Sequence, residues 1–160
     1  MKVVELMKIA PVLEPQDHNA GVDVDSINLA NYDSVTFVFT FGELTGDATL
    51  NIYEGATEGA KTTAKDFYYR ATGTDLKSIG GDTLGSETLM DESVDSGLTL
   101  AAATYEDRML VVEIDGSDLT GGLEWVTPEL SSAASELFVS CVAVCYGPRY
   151  GGNVPAAAIS

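Results

Sequence analysis

Residues 34–41 alternate strictly, with Val35, Phe37, Phe39 and Phe41 on one face and Ser34, Thr36, Val38 and Thr40 on the other. That is the period-2 pattern of a strand with one buried face. The turn residues Gly42-Glu43-Leu44-Thr45-Gly46-Asp47 follow, and then 48–54, where Leu50 and Ile52 share a face; the simple reading is a hairpin. Asp66-Phe67-Tyr68-Tyr69-Arg70 has the aromatic density of a third strand, 96–100 reads as a short one, and 108–115 as a long one ending at Gly116. The last strand is expected over Leu137 to Tyr146, an apolar run. Pro128 places the segment around it at a sheet edge or outside a sheet, because proline cannot donate to a ladder.

Helix is hinted only at 101–105 and 131–136, both too short to build a layer. Residues 71–97 are polar, Gly-rich and poorly patterned, which predicts loops with one or two short strands. Six to nine short strands separated by turns predict an all-β fold, an antiparallel β-sandwich of which a jelly roll is one form, since an amphipathic sheet must bury its apolar face against another. Pro11, Pro15 and Gly21 interrupt any helix near the start, and the Gly- and Pro-containing end is open to ordering on a partner. The expected organisation is therefore an extended N-terminal arm over 1–31, a sandwich over 32–147 and a C-terminal arm over 148–160.

Composition adds direction. In 160 residues there are 25 Asp and Glu against 8 Lys and Arg, a formal charge of −17. Such a surface repels phosphate backbones and anionic lipid, so nucleic acid and membrane are not expected as partners, whereas a basic or mixed-charge protein is. The first twelve residues carry Lys2 and Lys8 without the apolar run of a secretory signal, and no stretch of 18 apolar residues occurs anywhere. The expectation is a soluble chain made in a reducing cytosol. Cys141 and Cys145 fall on one face of the last strand about 13 Å apart, too far for a disulfide, and read as small buried apolar residues.

The search for chemistry finds no catalytic set, and no enzyme activity, cofactor or metal is expected. Gly55-Ala56-Thr57-Glu58-Gly59-Ala60-Lys61-Thr62 approaches a phosphate-binding loop, but Ala60 stands where its second glycine is needed and the following residues are β-prone rather than helical. His18 is the sole imidazole, read as a surface residue of the arm, and no serine sits in a nucleophile elbow. Asp23, Asp25, Asp47, Glu54 and Glu113 read as solvated acids rather than a glycosidase pair. Asp23-Val24-Asp25-Ser26 and Asp115-Gly116-Ser117-Asp118 contain oxygen ligands of the calcium type but lack the twelve-residue loop pattern, which favours Asx-type turns.

Several segments together carry a resemblance: Met7-Lys8-Ile9-Ala10-Pro11-Val12, the run 24–32, Gly59-Ala60-Lys61-Thr62-Thr63 through Tyr69-Arg70, Asp107-Arg108-Met109 ahead of Val111-Val112-Glu113-Ile114, and Gly147-Pro148-Arg149-Tyr150. Across about residues 7 to 152 the chain resembles a group of small proteins of tailed phages and prophages, encoded close to the major capsid gene. The resemblance implies a virion structural protein, a decoration or cement protein on the outer face of the head. Its partners would be the major capsid protein and itself, as a dimer or trimer, after synthesis in the host cytoplasm. For that role Ile9, Val12 and Leu13 in the first arm and Arg149, Tyr150, Val154 and Ile159 in the last are the expected docking residues. The alternatives are a head–tail or tail component, or a carbohydrate-binding module using Tyr53, Tyr68, Tyr69 or Trp125.

Overall fold

A computed structural model describes residues 6–148. Phe37, Phe39 and Phe41 are almost completely buried, and the strand that carries them, β4 (Tyr32–Leu44), lies inside a six-stranded sheet. Its neighbours are β12 (Leu137–Pro148) on one side and β10 (Met109–Asp115) on the other. Beyond β12 lies β1 (Met7–Asp17), and beyond β10 lie β7 (Phe67–Ala71) and β8 (Thr88–Met90), giving the order β1-β12-β4-β10-β7-β8. The second sheet runs β2 (Val22–Asp23), β11 (Trp125–Leu130), β5 (Ala48–Gly55), β6 (Thr63–Ala64), with β3 (Ile27–Asn28) also on β11 and β9 (Leu98–Leu100) also on β5. All pairings are antiparallel. The fold is a β-sandwich, as the alternation predicts.

One core lies between the sheets. Leu50, Ile52, Val126 and Leu130 of the second sheet face Val35, Phe37, Phe39, Phe41, Leu110, Val112, Cys141, Ala143 and Cys145 of the first. Phe37, Phe39 and Phe41 form a ladder with ring centroids 6.4 Å apart at each step. Tyr105, from the short helix α2 (Ala102–Tyr105) that follows the one-turn α1 (Glu92–Asp95), meets Phe41 edge-on at 6.1 Å. Each such ring contributes about 1.5–3 kcal/mol through removal from water.

Four expectations from the sequence are corrected. The turn after β4 closes no hairpin, because β4 and β5 belong to opposite sheets. Thr45 is held across the molecule instead: its hydroxyl donates to Glu136 Oε2 at 2.7 Å and its N–H to the Glu136 carbonyl at 3.1 Å. A side chain on Gly46 would meet the Ala133 carbonyl at 2.2 Å, so this crossover requires glycine. Residues 131–136 are not helical; Ser132 Oγ accepts from the Ala134 N–H, and Ala134 takes a positive φ of 55°. Pro128 is neither at an edge nor outside, for β11 has strands on both sides. Its carbonyl accepts from Val24 N, so its missing N–H faces the side where pairing is split between β2 and β3.

The fourth correction concerns His18, which is almost buried rather than a surface residue: its backbone N–H donates to Leu137 and its ring Nε2 lies 3.0 Å from the Glu14 carbonyl. The described part of the expected N-terminal arm is woven into both sheets, as β1 along β12 and as β2 and β3 along β11. Of the expected C-terminal arm, 149–160 lie outside the described residues.

Candidate interaction surface

The two outer faces of the sandwich differ. On the second sheet Lys61 reaches back over β11 and bonds Asp23 at 2.9 Å and the carboxylate of Glu129, beside the ring of Tyr53. The hydrogen bonds that Lys61 donates to these two carboxylates raise its pKa and hold it charged. The Gly55–Thr62 loop therefore uses its lysine on its own acids, and a strand, β6, follows it rather than a helix. Underneath, Ser26 and Thr127 are buried and joined hydroxyl to hydroxyl at 2.7 Å, with Gly59 N donating to Ser26. This face is polar, and its lysine is engaged by its own acids.

The outer face of the first sheet carries a band of exposed apolar side chains among serines, threonines and a few charged residues. Large hydrophobic side chains exposed among the described residues include Ile9, Phe138 and Val142 at the β1–β12 side and Tyr68 and Leu89 at the β7–β8 side. Leu6 lies just ahead of β1; only Ile79 and Val94 of the exposed set lie away from this sheet. Register joins these residues into rows. Pro11 stands opposite Val142, Val142 opposite Val38, and Val38 opposite Val111; Ile9 stands opposite Val144 and Val144 opposite Thr36. Three charged groups of the face are internally engaged: Glu113 accepts from the Tyr146 hydroxyl, and Arg70 pairs with Glu87 at 3.4 Å.

Ile9 is thus placed outward, whereas Val12 and Leu13 are in the core and unavailable for docking. A register shift between Pro11 and Leu13 turns both inward, as a bulge does. Arg149, Tyr150, Val154 and Ile159 lie outside the described residues. Val38, Val111 and Val142 were missed as surface candidates, although β12 is apolar at both parities, which signals a strand wanted on two faces.

The four aromatics of the carbohydrate alternative are not brought together. Tyr53 and Trp125 are half-buried on the second sheet, Tyr68 is exposed on the first, and Tyr69 packs against the core with its ring 6.3 Å from Phe67. Among the acids, Glu54 is a correction: it is fully buried, not solvated. Its carboxylate accepts from Thr120 N at 2.9 Å and Thr120 Oγ1 at 2.5 Å and faces Lys65 Nζ at 3.7 Å. Asp115 Oδ1 accepts from Ser117 N at 2.8 Å, an Asx-type turn. Among the described residues no three His, Cys, Asp or Glu are grouped so as to hold a metal ion. Both cysteines are free and buried, and burial pushes the thiol of Cys145 up to about 11 and that of Cys141 well above its ordinary value.

No family model and no curated protein matches the sequence. Similar solved structures include the SPBc2 prophage-derived protein YomS, at 10% identity and a TM-score of 0.44 over 92% of this chain and 100% of that one. A structure of Bacillus endospore appendages, described as disulfide-linked pili, is similar at 13% identity and 0.47 over 89% of each. An adhesin domain of Lys-gingipain from Porphyromonas gingivalis is similar at 9% and 0.37, over 89% and 90%.

Proposed function

We propose that this chain is a virion structural protein of a tailed phage or prophage, a decoration protein that binds the outer face of the head and stabilises it. The observation that carries the reading is the contrast within the sandwich, a band of exposed apolar side chains on one outer sheet face of a chain of net charge −17. Exposed apolar side chains grouped on one face mark a surface that assembly covers. The sequence resemblance to small phage proteins supplies the setting. The charge suits the outside of a shell, away from packaged DNA. Lys61, Lys65, Arg70, Lys77 and Arg108 each lie within 4.0 Å of a carboxylate of their own chain and are already counted in that net charge. The partner at the charged rim is then a basic region of the major capsid protein. The reading gives the chain no catalytic role.

Quantitative mass spectrometry of purified virions tests this. Hundreds of copies per particle, varying in proportion to the major capsid protein, are expected. A handful of copies would make the chain a head–tail or tail component, and absence from the particle would end the virion reading.

A further inference from the structure

We propose that the outer face of the six-stranded sheet is where two copies of this chain associate, sheet against sheet. The proposal rests on that face alone and holds whether or not the chain belongs to a virion.

Three observations favour a second copy as the occupant. The first is charge. Two bodies of −17 repel wherever their acidic surfaces meet, but the rows Pro11–Val142–Val38–Val111 and Ile9–Val144–Thr36 carry no ionisable side chain until they reach Arg70, opposite Val111, and Glu113, opposite Thr36. Along these rows β1, β12 and β4 of two copies can touch without opposing carboxylates, and the Glu113 carboxylate beyond them is already hydrogen-bonded by Tyr146. The second is area. Six strands spaced about 4.8 Å apart, with about 24 Å of strand length in the seven residues of β10, give a face of about 700 Å². A stable interface needs about 800 Å² per partner, so one sheet face, with its side-chain relief, is enough. The third is polar satisfaction: Glu113 is already bonded by Tyr146 and Arg70 by Glu87. Covering Glu113, Arg70 and Glu87 therefore leaves none of the three without a partner, the condition that makes burial of charged groups tolerable. Two such sheets would stack about 10 Å apart, as the two sheets of a sandwich do.

The test is sedimentation equilibrium of the full chain across protein concentration and NaCl. Repulsion between like-charged bodies fades as the screening length drops from about 30 Å at 0.01 M salt to about 3 Å at 1 M. A reversible dimer whose dissociation constant tightens with salt is expected. Val142→Lys should weaken it at least about tenfold, the loss of a central contact, even though it lowers the net negative charge. Val38→Lys provides a second variant should the first fold poorly, with circular dichroism checking each. Thr99→Lys, an exposed position on β9 of the opposite sheet, makes the same charge change and should not weaken the dimer. A chain that stays monomeric in high salt, a dimer that salt loosens, or a dimer indifferent to both valine substitutions would overturn the proposal. Copy number in the virion is independent of all three outcomes, so this proposal and the virion reading can fail separately.

Discussion

Replacing Glu54 by alanine should be among the most damaging single changes outside the aromatic core. Glu54 sits at an inward position of β5, opposite Val126 of β11, with a side chain 1% exposed. It joins three parts of the chain: β5 itself, Lys65 between β6 and β7, and the loop after β10 through Thr120. Lys65 completes the tie by donating to the Asp118 carbonyl at 2.6 Å. Each hydrogen bond to the carboxylate is worth about 1.5 kcal/mol net, so the two from Thr120 total about 3 kcal/mol. The ion pair adds less than about 1 kcal/mol, because at 3.7 Å the lysine remains partly hydrated. Glu54→Ala should therefore cost about 3–4 kcal/mol, read as a shift of the urea midpoint by about 1.5–2 M at an unchanged slope of about 2 kcal/mol per M. Glu54→Gln keeps one acceptor and should lose about half as much. Thr120→Ala should lose less in the Glu54→Ala background than in the parent, since the two groups share their bonds. A loss below about 1 kcal/mol for Glu54→Ala, or full additivity with Thr120→Ala, would refute the tie.

Gly97→Ala should destabilise the fold by more than about 2 kcal/mol in thermal melts, because Gly97 has a φ of +106° and a β-carbon there would lie 1.9 Å from Asn51 Oδ1. The two cysteines should stay unlabelled by a thiol reagent in the native protein and react fully in denaturant; rapid native labelling would contradict their burial. Burial raises the folded-state pKa of Cys145 from 9.0 to about 11. Its contribution is complete below pH 9 and is lost as pH climbs toward 11, where the unfolded thiol ionises first; stability measured by denaturant should fall across that window and recover part of the loss in Cys145→Ala. Lys61→Met should cost under about 1 kcal/mol, since its pairs with Asp23 and Glu129 are a third to a half exposed on one or both partners; a larger loss would mean that the Lys61 contacts hold the second sheet together.

The sandwich itself was legible because β4 alternates without a break, and an outer face that is polar apart from Val38 leaves only one way to bury four apolar residues. What local pattern does not carry is pairing. A three-residue link after β4 looks like a hairpin, yet Gly46 packs against the Ala133 carbonyl and sends the chain to the other sheet. The same holds for the first thirty residues: prolines make them non-helical, but Pro11 and Pro15 are compatible with an edge strand, and the complement that recruits β1 is β12, more than a hundred residues later. Glu54 was legible only as one acid among many, since its partners, Thr120 and Lys65, come from other strands' loops. The apolar outer face was present in the sequence as valines at both parities of β12, and its extent emerged once β1 and β10 were set in register with β4 and β12.

The central claim is that this chain is a coat on a protein shell. It is tested most directly by adding the purified protein to heads that lack it, then counting bound copies and recording the temperature at which the heads rupture. Saturable binding of hundreds of copies, with rupture moved to higher temperature, is the expected result. Heads that bind none of it at saturating concentration, or bind it without any gain in rupture temperature, would contradict the account.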